Sequence, residues 1–145
     1  CTPLQIQAYQ NRISRPFLDR IDLCVEASQV KYEHLSDEQK GESSKEIRKR
    51  IGRVREMQRI RYKETGNLTN AMLEGDALNK YCKLGTKEKK VMEQAFSVMN
   101  LTARGYSRIL KTARTIADLE ESDAIKVKHL QEALGYRMDN RKYTV

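Results

Sequence analysis

The stretch from Thr102 to Glu120 constrains this chain more than any other. Tyr106, Ile109, Leu110, Ala113, Ile116, Ala117 and Leu119 recur at i, i+3, i+4 and i+7. So wide an apolar stripe marks a helix that must pack against neighbours over much of its circumference. Thr102 supplies a hydroxyl that can accept a first-turn N–H. The rest of the chain offers helices to pack against it. Ser43 and Glu46 have the spacing of a capping box, so a helix starts there and is expected to run to about Glu64. Its narrow apolar stripe is Ile47, Ile51, Val54, Met57 and Ile60, and Gly66-Asn67 stops it. A short helix within Glu74–Leu84 turns Leu78, Tyr81 and Cys82 inward. Thr86 is the expected cap of a further helix with Val91, Met92, Ala95, Phe96 and Met99 on its apolar face, ended at Asn100. Ser122-Asp123 separates the long helix from a last one, Val127 to about Arg137, with Leu130, Ala133, Leu134 and Tyr136 inward. The predicted fold is mainly α: a bundle of four to five helices over residues 42–138, with an irregular arm before it and a tail at 139–145. Local and global signals agree across 42–138, which predicts a cooperatively folding unit.

Composition agrees. Aromatics make up 6% of the 145 residues and charged residues 33%, with no Trp and two Pro, a balance that favours helices over a β-sandwich. No run of about 18 apolar residues encodes a membrane span. Cys1-Thr2-Pro3 lacks the basic and apolar regions of a signal peptide. Three cysteines without CxxC spacing fit a reduced, cytoplasmic chain.

The arm is organised around Pro16. Residues 4–13 have apolar side chains near helical spacing, and the residue before a proline is pushed out of the α region. A short helix is therefore expected to end ahead of Pro16. Beyond it, Phe17-Leu18-Asp19-Arg20-Ile21-Asp22-Leu23 sets one guanidinium between two carboxylates, leading into Ile21–Val25, a candidate strand. Arginine's rigid fork of donors suits a phosphate or a carboxylate. No Gly-x-x-x-x-Gly-Lys-Ser/Thr phosphate loop occurs in the 145 residues.

The string Ser14-Arg15-Pro16-Phe17-Leu18-Asp19-Arg20-Ile21-Asp22-Leu23 resembles the end of the ATPase core in magnesium-chelatase-like AAA+ proteins. The resemblance continues through Gly41-Glu42-Ser43-Ser44, through Leu101-Thr102-Ala103-Arg104-Gly105-Tyr106-Ser107-Arg108-Ile109-Leu110, and through Ala113–Glu120 and Gln131–Arg137, all similar to the helical lid of that family. Arg15 stands where the family commonly has Gly, and Cys24 where it commonly has His. The resemblance implies that residues 1–27 are the finger-bearing end of a AAA+ core, 28–41 a linker and 42–138 the lid; with no partner for the candidate strand in view, residues 1–30 are expected to be loose. It implies a parent that hydrolyses ATP with Mg²⁺ as a homo-oligomeric ring, using a core N-terminal to this chain. The isolated chain is expected to hold no cofactor and no activity. The parent's task is expected to be DNA remodelling in competence, or metal insertion as a magnesium chelatase subunit.

Carried over by the resemblance, Arg20 becomes an arginine finger reaching a neighbouring subunit's nucleotide, a role worth about 10³–10⁵ in rate. Taken from the residues alone, Arg20 is an arginine pinned by Asp19 and Asp22 on a solvated loop. Arg104 becomes the sensor-2 arginine that reaches the γ-phosphate, with Arg108 in support. Independently of the family, a cation in the first helical turn opposes the dipole, and a bound anion would account for it.

Residues 42–64 carry nine Lys/Arg against four Glu, a net +5 within the whole chain's +8. That basic face, with Arg48, Lys49, Arg53 and Arg55, reads as a nucleic-acid tracker, a solvated face or a subunit contact. The rival to an ATPase fragment is therefore a non-enzymatic basic helical module that binds nucleic acid. A third reading uses Met92, Phe96 and Met99 as a partner groove. Cys1 lacks companion ligands for a structural metal, which needs about four, so no metal site is expected. His34 and His129 read as surface or half-buried side chains.

Overall fold

Ser43 begins the helical region as its spacing requires. In the computed structural model, Ser43 Oγ accepts the Glu46 N–H at 3.3 Å while Ser43 N–H donates to Glu46 Oε2 at 3.0 Å. The structure describes residues 2–10, 12, 14, 17, 20–25, 27, 29 and 41–137. The elements are α1 (Pro3–Gln10), α2 (Ser44–Arg61), a 3₁₀ turn (Asn70–Met72), α3 (Gly75–Tyr81), α4 (Thr86–Val98), α5 (Ala103–Leu119) and α6 (Val127–Gly135). Five helices thus follow residue 42, with an irregular arm before them, and no strand occurs among the described residues.

Helix α5 is the axis. It packs on α6, on α2, on α3 and on the 3₁₀ turn. Ile109, Leu110, Ala113, Ile116 and Ala117 are all buried, and each large apolar side chain so removed from water contributes roughly 1.5–3 kcal/mol. Leu119, expected on the same stripe, is 41% exposed. Thr102 Oγ1 accepts the Gly105 N–H at 3.0 Å, the predicted cap. The chain leaves α4 at Asn100 with φ 47°, a left-handed conformation that asparagine tolerates better than most residues.

Three local expectations are corrected. Thr86 does not cap α4; Gly85 is the cap residue, its carbonyl accepting the Lys89 N–H at 2.9 Å, and Thr86 is already helical. Ile21–Val25 forms no strand, because only an isolated backbone bond, Cys24 N–H to Tyr136 O at 2.8 Å, reaches it. His129 is fully buried rather than superficial. Its Nδ1 accepts the Lys126 N–H at 2.9 Å and its Nε2 lies 3.0 Å from Glu120 Oε2. The imidazole therefore closes the start of α6 and ties it to the end of α5.

The largest correction concerns α2. Ile51 and Ile60 of the expected stripe are 46% and 65% exposed, while Gln58 is buried beside Val54. The reason is a polar hub at the far end of α5. Asp118, with no exposed surface, accepts from Arg61 Nη2 at 2.7 Å and Nη1 at 2.9 Å, from Arg114 Nε at 3.0 Å, from Asn70 Nδ2 at 2.8 Å and from Gln58 Nε2 at 3.2 Å. Tyr62, also buried, donates its hydroxyl proton to Asn70 Oδ1. A buried carboxylate is tolerated only when paired and hydrogen-bonded, and this one takes donors from α2, the 3₁₀ turn and α5 together. Helix α2 is thus rotated so that its polar face meets α5, leaving two isoleucines outward.

Candidate functional site

The two candidate phosphate-sensing arginines of α5 are deployed differently. Arg104 sits in the first turn, exposed, where N–H groups lack helical partners and the dipole is positive. It has no hydrogen-bond or ion-pair partner among the described residues. Arg108, one turn on and half-buried, is occupied: it donates to Arg20 O at 2.6 Å and pairs with the Asp22 carboxylate. Asp22 is thus used by Arg108 rather than by its own neighbour. The Arg20 side chain is exposed and unpaired among the described residues; Asp19, its other expected partner, lies outside them. Arg137 donates to Ile21 O at 3.0 Å. The structure therefore brings the backbone of Arg20 against Arg108 and sets Arg104 a turn away on the same helix. Both side chains, Arg104 and Arg20, are exposed, and each can offer cationic donors to an anionic group.

The basic helix is less positive outward than its composition suggests. Arg61 turns into the hub, and Tyr62, the one aromatic of the segment, is buried and cannot stack on a base. Arg50 pairs with Glu42 at 2.7 Å, Arg59 with Glu56 at 2.6 Å, and Arg53 approaches Glu121 at 3.7 Å. Arg48, Lys49 and Arg55 are exposed and have no such partner among the described residues. Binding to a polyanion is expected to be weak and non-specific, with Kd of about 10⁻⁴–10⁻⁶ M at physiological salt, and to weaken further as salt rises. Submicromolar binding to duplex DNA at that salt in a fluorescence anisotropy titration, abolished by Arg48→Ala with Arg55→Ala, would overturn that expectation.

Residues 41–137 match the family model described as magnesium chelatase, subunit ChlI C-terminal, and residues 1–35 match the model for magnesium chelatase, subunit ChlI. The chain belongs to the magnesium chelatase ChlI family. Its similarity to the uncharacterized protein YifB of Salmonella typhimurium is 43% identity over 97% of the chain and 27% of that relative. To the competence protein ComM of Haemophilus influenzae it is 41% identical over 94% of the chain and 26% of the relative. An uncharacterized protein of Mycobacterium tuberculosis is 28% identical over 94% of the chain. The chain spans about a quarter of the length of these curated relatives.

Within this family member, other chemistry-bearing groups are structural. Burial pushes the Cys82 thiol up to about 11, and a thiol that is protonated and buried is a poor nucleophile. No group of three His, Cys, Asp or Glu among the described residues could hold a metal ion; Cys1 and His34 lie outside those residues. No helix among them is long and apolar enough to cross a membrane. A groove of about 560 Å³ between α4 and α5 is lined by Met92, Phe96 and Tyr106, so only part of the expected Met92–Phe96–Met99 face opens to it. Sequence reasoning overlooked the hub, although Arg114 and Asp118, four residues apart inside an apolar stripe, were a signal for it. It also overlooked the Arg108–Asp22 pair, for which no local signal exists.

Proposed function

We infer that this chain supplies the lid and the finger-bearing edge of a ChlI-type AAA+ ATPase. The observation that carries the reading is Arg104: an exposed cation without a described partner, held where the start of α5 is already positive. A triphosphate fits that arrangement, because its charge would offset the repulsion between guanidinium and dipole. Bound with Mg²⁺, ATP would supply the phosphoryl group for transfer. Arg104 would hold the γ-phosphate from the lid, and Arg20 would reach the nucleotide of a neighbouring subunit in a homo-oligomeric ring. The phosphate loop and its partner Asp, which hold Mg²⁺ and the β/γ-phosphates in such enzymes, would come from a core outside these 145 residues.

ATP-driven DNA remodelling in the cytoplasm is the favoured task, supported by the similarity to a competence protein and by the exposed Arg48, Lys49 and Arg55. A magnesium chelatase subunit is the alternative parent, supported by the family description. The test uses a protein joining this chain to a phosphate-loop core. Arg104→Ala is expected to weaken ATP binding and to lower turnover together, by about tenfold each for the loss of one charge-assisted contact worth roughly 1.5–3 kcal/mol. Unchanged KM and kcat for ATP in that variant would overturn the assignment.

A further inference from the structure

The segment that carries Arg20 is fastened to the helices at four described points between residues 20 and 24, apart from a local bond of the Arg20 N–H to Phe17 O at 2.9 Å. Arg108 donates to Arg20 O at 2.6 Å and pairs with Asp22; Arg137 donates to Ile21 O at 3.0 Å; the Cys24 N–H donates to Tyr136 O at 2.8 Å. All the partners belong to α5 or to the turn closing α6, two helices packed directly on each other. The Arg108 side chain is 23% exposed and its partner Asp22 65%, so the ion pair lies at the surface and the hold on the segment comes from several bonds together rather than from that pair alone. Arg137 also reaches the first turn of α5: a Cβ built on the buried Gly105 would lie 3.6 Å from Arg137 Nη2. One arginine therefore bonds the segment that bears Arg20 and lies beside the turn that bears Arg104.

Arg104 and Arg108 are four residues apart on one helix, so they share a face about 6 Å apart along the axis. A helix moves as a rigid rod, and a shift of α5 that repositions Arg104 must carry the carbonyl of Arg20 with it. We propose that Arg108, assisted by Arg137, is a positioning residue that latches the Arg20 segment to α5, so that the nucleotide contact made by Arg104 sets the point from which Arg20 reaches the neighbouring site. This rests on the ATPase reading above and adds to it a route between the two arginines. Arg108 touches no phosphate in this scheme; its guanidinium is consumed by the arm.

Two measurements separate the latch from the reading it rests on. The first needs only this chain. Amide exchange at Cys24, followed by NMR, is expected to speed up by about tenfold in Arg108→Ala and equally in Arg108→Met, which keeps the packing stem and loses the donors. Arg108→Lys, which keeps a charged donor, is expected to recover much of the protection, while amides of Ile109–Ala113 stay protected throughout. Unchanged Cys24 exchange in Arg108→Ala, or protection retained in Arg108→Met, overturns the latch. The second measurement uses the chain joined to its phosphate-loop core. Arg108→Ala is expected to lower kcat for ATP by about tenfold with KM within about twofold, since positioning affects the transition state more than binding. If Arg20→Ala and Arg104→Ala both impair turnover and Arg108→Ala does not, the coupling is wrong. If none of the three matters while Cys24 still responds to Arg108, the latch survives as a docking contact, and the ATPase reading and the coupling fall with each other.

Discussion

Arg20→Ala is expected to reduce ATP turnover by about 10³–10⁵-fold in a ring assembled from the chain and its phosphate-loop core. ATP affinity should stay nearly unchanged. The side chain is exposed and makes no described contact within its own chain, so its removal leaves the fold undisturbed. Its proposed role is to meet charge that develops only in the transition state, on a nucleotide held by a neighbouring subunit. Such an interaction appears in kcat and not in ground-state binding. Mixing provides a sharper check than the single variant. Arg20→Ala subunits combined with subunits unable to bind ATP should regain part of their turnover wherever an intact Arg20 faces an intact nucleotide site. Normal turnover in Arg20→Ala, or a loss confined to KM, would remove Arg20 from catalysis.

Asp118→Ala is expected to destabilise residues 42–137 severely, with α2 coming loose first. The carboxylate is the acceptor shared by Arg61 on α2, Arg114 on α5 and Asn70 on the 3₁₀ turn. Removing it leaves the buried Arg114 and the part-buried Arg61 without their shared carboxylate. Breaking a buried pair by deleting one partner costs about 3–5 kcal/mol, a large share of the roughly 5–15 kcal/mol that holds a domain together. Arg114 keeps its bonds to the carbonyls of Ser122 and Asp123, whereas Arg61 retains a Met57 sulfur contact and its place over the Tyr62 ring, both within or beside its own helix, so α2 should be the first element lost. A urea titration followed by circular dichroism decides the matter: an unshifted, cooperative transition in Asp118→Ala would show that the hub contributes little.

The same group sets a pH dependence. Burial alone would raise the Asp118 carboxyl, but hydrogen bonds from Arg61 and Asn70 and the charges of Arg114 and Arg61 outweigh it, leaving the group below its ordinary value of 3.8. A carboxyl depressed in the folded state contributes stability that is complete above its unfolded value and is lost as pH falls through the folded one. Stability should therefore hold steady from about pH 7 to pH 5 and decline below about pH 4. Asp118→Asn, which keeps the shape without the charge, should be less stable at neutral pH and should lose that part of the acid sensitivity.

The helices were legible wherever their causes were local. The Ser43–Glu46 box, the Thr102 cap and the left-handed Asn100 each work within a few residues, and each appears where the pattern requires it. The α5 stripe was legible because a 3.6-residue period needs no knowledge of the partner. The bearing of α2 was not. Its stripe suggested Ile51 and Ile60 inward beside Val54, and the structure keeps Val54 buried but turns Gln58 and Arg61 inward instead of those isoleucines, because Asp118 supplies a carboxylate to Arg61 from 57 positions away. Among the candidate site residues, the sequence singled out Arg20, Arg104 and Arg108 by their motifs and left their relation open.

Sequence alone determined that the chain is helical, where most helices begin and end, and which family's motifs it carries, since caps, periodicity and ordered short motifs are all written in neighbouring residues. Only the tertiary structure decided that the arm docks. Arg108 meets the Arg20 carbonyl across 88 residues and Asp22 across 86. A single exposed-looking arginine carries no mark of which distant carbonyl it will bind. That choice belongs to the packing of α5 on α6, which brings the donors of Arg108 and Arg137 to one side and leaves Arg104 facing outward.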